Sequence, residues 1–422
     1  MATIAQGGIL TRPPEHLLVA ALAFAGDRAP ARSRETVELL RELVHRELRS
    51  DLDEQSAQSL KEQASPETGE LGFEDGYDRA YLTITFGIAA SGFDALGVAA
   101  DQRPADLIEI PWDQLGDAPA KRESGDVVLQ ICGDDPYVVE HVLRRVEEEL
   151  GDRFAVVWAQ AGVQRYTTRR GRPSRREARA LNGFLDGTSN LRPRDNADDA
   201  RLVFVDPDRV PEYPQVPQPG QQPGYPGTGP SFPADLRPPP NHEPEWCRGA
   251  TYMVVRASAL RIIAWDDQAL GAQEQTIGRF KLSGASLDLA DEPAQLNTEP
   301  AFVANQGDTR VAFDSHVRKV NPRRPEDAPR RIFRRGFPLL DATLDGVRRG
   351  LVFICFGRTL STQFEFIERG WTTNPNFPQQ GAGVDLLRQF EDVICGGYYF
   401  IPAVRHRRQP WSWVLPPVDA AA

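Results

Sequence analysis

Apolar positions change period along this chain, and each change predicts an element. Val37, Leu40, Leu43, Val44 and Leu48 recur at helical spacing, so residues 1–75 read as a helical N-terminal extension with a polar connection over 51–66. From residue 80 the apolar runs shorten to strand length, at 81–88, 126–132 and 154–160. Between the last two, Val138, Val142, Val146 and Leu150 repeat every fourth residue and predict a helix. A second helix, over 174–181, leads into Gly183-Phe184-Leu185-Asp186-Gly187. Residues 76–206 therefore form a first α+β half.

Thirteen of the 35 prolines fall between 207 and 244, a density that neither a helix nor a central strand tolerates. Residues 207–248 are read as an insert or linker. Beyond it the strand and helix pattern recurs, with strands at 251–256, 331–337 and 351–356 and helices near 362–369 and 386–394. The plan is two similar halves, the second spanning 249–422.

Composition narrows the function classes. With 40% hydrophobic and 26% charged residues over 422 positions, the chain is globular and large enough to fold without staples. A net charge of −11 argues against nucleic-acid partners, since affinity for phosphate comes from clustered cations. The longest apolar run, at 17–25, is about half of the ~20 residues a bilayer span needs, so no membrane partner is expected. The first 25 residues carry one cation, Arg12, and no leader pattern, which predicts a cytoplasmic protein. Cys132, Cys247, Cys355 and Cys395 are far apart, unlike a zinc ribbon, a redox pair or covalent haem attachment, and are expected as buried thiols.

The chemistry is bounded first by exclusions. None of the four lysines follows a glycine and no G-x-S-x-G occurs, which removes phosphate-loop NTPases and serine hydrolases. No two of the six histidines stand three or four apart, so a helical zinc site is absent. His316 is set among cations in Phe313-Asp314-Ser315-His316-Val317-Arg318-Lys319-Val320-Asn321-Pro322-Arg323. One histidine without a second ligand suits haem, whose porphyrin supplies four nitrogens, and basic neighbours such as Arg318 would meet its propionates. The Arg334-Arg335 pair stands in the apolar run 331–338, where a buried guanidinium requires an anionic partner.

Gly183-Phe184-Leu185-Asp186-Gly187, His316 in His-Val-Arg-Lys-Val-Asn-Pro-Arg and Arg334 in Ile-Phe-Arg-Arg-Gly together resemble the dye-decolourising peroxidase family. Gln6-Gly7-Gly8-Ile9-Leu10, Ile277-Gly278-Arg279 and Phe364-Glu365-Phe366-Ile367 agree with it. The resemblance implies an α+β fold of two ferredoxin-like halves, of the dimeric α+β barrel type, with haem b in the second. It implies a peroxidase that uses hydrogen peroxide to oxidise dyes, phenols or similar donors. His316 would be the proximal iron ligand, Asp186 the distal acid and base, and Arg334 the distal charge stabiliser.

An aspartate with its ordinary pKa of about 3.9 stays a competent base in mild acid, and Arg334 is expected to hold Asp186 low. Gly183 and Gly187 fit a tight turn near the porphyrin, and Ile354 and Phe356, on one face of a strand, a dry pocket wall. Glu391 and Asp392 are the carboxylates considered for the second nitrogen of His316, with Asp392 preferred. Trp246, Trp371, Tyr398 and Tyr399 are considered as surface electron relays. The alternatives are a non-enzymatic haem-binding or haem-transfer protein and a barrel enzyme without haem. The sequence leaves room for a homo-oligomer.

Overall fold

The computed structural model describes residues 5–48, 81–164, 166–169, 172–209, 231–289, 310–343, 346–406 and 409–417. The first half runs β1 (His16–Phe24), α1 (Pro30–Leu48), β2 (Thr83–Ile88), β3 (Val127–Gly133), α2 (Pro136–Leu150) and β4 (Phe154–Val163). Its strands lie side by side in the order β4-β1-β3-β2, all antiparallel, which is the ferredoxin-like arrangement. Helix α2 starts where Asp135 accepts a hydrogen bond from the Tyr137 amide and Pro136 takes the first helical position.

The apolar run at 17–25, assigned above to a helical extension, is the central strand β1. Both of its faces are covered, so it reads as continuously apolar instead of alternating. Ala20 and Leu22 face α1 and α2, while Leu17, Val19 and Ala21 face the opposite core. The polar connection at 51–66 lies outside the described residues.

A hairpin of β5 (Tyr166–Arg169) and β6 (Arg172–Ala178) follows, replacing the helix expected over 174–181. The second half contains β7 (Thr251–Leu260), α3 (Ile262–Asp266), α4 (Leu270–Ile277), α5 (His316–Val320), β8 (Phe333–Arg334), β9 (Phe337–Thr343), β10 (Gly346–Gly357) and β11 (Glu391–Ile401). Its strands repeat the first half's order as β11-β7-β10, with β8 and β9 both on the far side of β10. The strand expected at 331–337 is broken between β8 and β9. The helix expected at 386–394 is only a short turn, Leu386–Phe390, after which the chain enters β11. A Cβ on Gly396 would lie 2.2 Å from the Val255 carbonyl oxygen, so glycine is what lets β11 pack closely against β7.

The halves join edge to edge through β2 and β11, where Ile88 pairs with Phe400. The far edges also meet. A Cβ on Gly162 of β4 would lie 2.6 Å from that of Phe337 in β9, and Gln164 donates to the Gly336 carbonyl at 2.7 Å. The nine-stranded sheet thus curls on itself around Val19, Val128, Met253, Val255, Ile354, Phe356 and Tyr399. Residues 362–369 are helical as expected, within wide-turn segments Leu360–Phe364 and Phe366–Thr372.

Part of the proline-rich insert, 210–230, lies outside the described residues. Of the rest, Phe232 lies against Phe366 and Arg237 is bonded to Glu365 at 2.8 Å in the wide-turn segment, while Trp246 packs against Phe93 and Phe400. All four cysteines are buried and none forms a disulfide. Among the described residues, no helix is long and apolar enough to cross a membrane.

Candidate active site

A cavity with about 270 Å³ open to water-sized occupants lies beside the second half's sheet, and Asp186, His316 and Arg334 all line it. Each arrives from a different element. Asp186 sits in the loop after β6, where Arg179 bridges to Leu185 and the Asp186 amide donates to the Ala178 carbonyl at 2.9 Å. Gly183 and Gly187 adopt φ of 90° and 74°, left-handed values that make the tight turn a glycine position. The Asp186 carboxylate accepts from the Gly187 amide at 2.6 Å.

Burial raises the Asp186 pKa above the ordinary carboxylate value, outweighing the Arg334 charge and the Gly187 amide, which both lower it. The expectation that Arg334 would hold it low is corrected. Desolvation of a carboxylate at the cavity wall is the larger effect.

Arg334 lies in β8, opposite Cys355 of β10. Its guanidinium donates to the Thr188 carbonyl at 2.6 Å, and its backbone N–H and C=O are both bonded to the side-chain amide of Asn190. The Asp186 loop therefore wraps the arginine. Asn190 escaped sequence reasoning because only its proximity to Arg334, across 144 residues, gives it a role.

His316 opens α5, and its Nδ1 is 2.7 Å from Oδ2 of the buried Asp385. Burial alone would lower the imidazole pKa, but Asp385, helped by Glu391, raises it on balance. Asp385 is held in turn, since its other oxygen accepts from the Leu387 amide at 3.0 Å and its own amide donates to the Thr372 carbonyl at 2.8 Å. The partner preferred above, Asp392, points elsewhere and pairs with Arg261 on the surface at 2.6 Å. Successive residues of β11 face opposite sides of the sheet, so Glu391 lines the cavity and Asp392 does not. Glu391 is engaged by Arg256 at 3.3 Å, in a buried cluster with Glu368, Arg388 and Asp117. The position of Asp385 before Leu386-Leu387 is a helix-cap pattern, the signal that would have singled it out.

Three further expectations are corrected. Ile354 and Phe356 are buried in the sheet's interior core, and their neighbours Leu351 and Phe353, on the other face of β10, line the cavity. Arg318 turns away from it to donate to the Val311 carbonyl at 2.7 Å and to cover the Phe313 ring at 4.3 Å. Arg323, Arg330 and Arg331 line the cavity instead. Trp371, Tyr398 and Tyr399, considered as surface relays, are buried, and Trp246 is partly covered.

Comparison with known proteins gives a consistent picture. Residues 6–164 match the family described as Dyp-type peroxidase, N-terminal, and residues 234–406 match Dyp-type peroxidase, C-terminal. The proteins named deferrochelatase from Escherichia coli (strain K12) and Shigella flexneri are each 28% identical over 330 residues, 77% of this chain and 66% of theirs. The match thus spans just under two thirds of those relatives. A DyP-type peroxidase from Cellulomonas bogoriensis superposes with a TM-score of 0.67 at 24% identity, covering 97% of this chain and 96% of that one. Ferric DtpA from Streptomyces lividans gives 0.67 at 23% identity, over 94% and 91% of the two chains. At such identities the structural likeness speaks for the fold.

Proposed function

The chain belongs to the Dyp-type peroxidase family, and from that premise we propose that it binds haem b in the cavity and uses hydrogen peroxide to oxidise dyes, phenols or similar donors. The observation that carries this reading is the convergence of His316, Asp186 and Arg334 on one cavity. The donor set fits haem. Among the described residues no cluster of three His, Cys, Asp or Glu side chains is placed to hold a bare metal ion, whereas a lone imidazole suffices for an iron that brings its own macrocycle. Apolar walls from Leu351, Phe353, Phe364 and Ile367 suit the ring, and Arg323, Arg330 and Arg331 suit its carboxylates.

Bound haem supplies a redox iron that peroxide oxidises and an electron donor reduces again. The protein's own groups do the rest. Asp385 fixes a proton on Nδ1 of His316, which leaves Nε2 as the ligand and makes the ring more electron-rich. Asp186, when ionised, takes a proton from the inner oxygen of peroxide and returns it to the departing outer one. Arg334 supplies fixed positive charge and N–H donors where negative charge develops on that oxygen.

Absorption spectra of protein expressed with adequate haem, with and without His316→Ala, test the ligand. Loss of the haem band in the variant is expected, and its persistence would move the ligand elsewhere. Mixing with one equivalent of peroxide tests the activity: a peroxidase passes through a defined spectral change and returns on adding donor, whereas a haem carrier only bleaches.

A further inference from the structure

Strand β8 is two residues long, and its pairing leaves one edge to be satisfied from outside the sheet. The Arg335 amide bonds inward to the Ile354 carbonyl of β10 at 2.7 Å, so the N–H and C=O of Arg334 point outward. A further strand would normally meet them. Here the side-chain amide of Asn190 does, its Oδ1 accepting from the Arg334 N–H at 3.0 Å and its Nδ2 donating to the Arg334 carbonyl at 2.7 Å. The same Oδ1 accepts from the Leu191 amide at 3.1 Å, which fixes the side chain in place.

Asn190 lies in the loop that carries Asp186. Between them, the Thr188 carbonyl holds the Arg334 guanidinium at 2.6 Å, and the Ser189 carbonyl takes a hydrogen bond from Arg331 at 3.2 Å. Ser189 has φ of 56°, a left-handed value rare for a residue with a side chain, so the loop is held in this shape against local preference. Main chain and side chain of Arg334 are thus both gripped by the segment that presents the carboxylate.

We propose that Asn190 is a positioning residue for the peroxide chemistry, fixing Arg334 relative to Asp186 by binding the arginine's main chain from the aspartate's own loop. The inference rests on the reading that those two groups act on peroxide. Proton transfer and charge stabilisation on one small molecule need both groups in register, and misplacement by about 1 Å can cost about a hundredfold in rate.

The test uses haem-loaded protein and the variants Asn190→Ala, which removes both bonds, and Asn190→Gln, which offers the same amide on a longer stem. Three quantities are read: the bimolecular rate constant with hydrogen peroxide, the KM for an electron donor, and the affinity of the ferric protein for fluoride, a ligand that needs no turnover. The alanine variant is expected to lose at least tenfold in the peroxide rate constant and several-fold in fluoride affinity, with haem content and donor KM unchanged. The glutamine variant should recover part of both. Wild-type values in both variants, or losses that only track haem content, would overturn the proposal. If haem-loaded wild type only bleaches with peroxide, the peroxidase reading fails, and fluoride affinity still decides whether Asn190 positions Arg334.

Discussion

Nδ1 of His316 lies 2.7 Å from Oδ2 of Asp385, 69 residues further along the chain. The carboxylate makes the imidazole a stronger donor to whatever its other nitrogen binds. Asp385→Asn should retain haem but raise the reduction potential of its iron, because a neutral partner donates less electron density through the ring. A spectroelectrochemical titration of the two proteins checks this, and an unchanged potential would remove Asp385 from the role.

Asp186→Asn should keep haem bound and slow the reaction with peroxide by roughly 10²- to 10⁴-fold, the usual share of a general acid and base. Stopped-flow absorbance gives the rate. The wild-type rate should carry a pH signature too. Burial raises the Asp186 pKa, so the ionised base is lost on acidification at a higher pH than for a free aspartate, and the rate should begin to fall there. This pulls the working range toward neutrality from the acidic one expected of an unperturbed carboxylate.

Two buried acids away from the cavity tie stability to pH. Asp106 is buried and its pKa is pushed up to about 6, chiefly by burial and despite Arg237 at 3.0 Å. Glu243, bonded to the Tyr252 hydroxyl at 2.6 Å, is pushed up to about 7 by the same cause. Raised acids bind protons more tightly when folded. Their contribution is therefore complete below the unfolded values near 4 and lost as pH rises through the folded ones. For Asp106 the difference is on the order of 3 kcal/mol. Asp106→Asn, which keeps an oxygen for the Leu360 and Ser361 amides, should flatten the decline of thermal midpoint between about pH 4 and 6. A slope equal to wild type would contradict this.

At the closing edge of the sheet, Gly162→Val should destabilise the protein by about 1–3 kcal/mol, because a side chain there meets Phe337 at less than contact distance. Chemical denaturation measures it. The loss should come without a change in peroxide rate per bound haem, since Gly162 does not line the cavity.

The sequence displayed best what depends on local pattern. The valine repeat of α2 was legible because period reports burial directly, and the strand runs of β2, β3, β4, β7 and β10 because each is an apolar run of strand length. Asp186, His316 and Arg334 were legible through short motifs and their order. What failed were features decided by tertiary context. β1 was misread because its unbroken apolar run stands just before the helical repeat of α1 and was grouped with it. Asp392 was preferred over Glu391 because the region was taken for a helix, whereas a strand turns adjacent residues to opposite sides, and Asp385, before that strand, was not considered. Ile354 and Phe356 were grouped correctly on one face, but period alone cannot say which face meets the cavity.

The cavity's walls are spread over the chain in an order that constrains how the protein is made. Asp186 emerges from the ribosome early, His316 and Arg334 much later, and Asp385 with Glu391 later still. Glu391 opens strand β11, which joins the two halves. A nascent chain stopped short of residue 385 would have the acid, the arginine and the imidazole but nothing to orient that imidazole. The lining of the cavity is thus complete only once the chain has been made through the start of β11, because Asp385, Leu387 and Glu391 all belong to it.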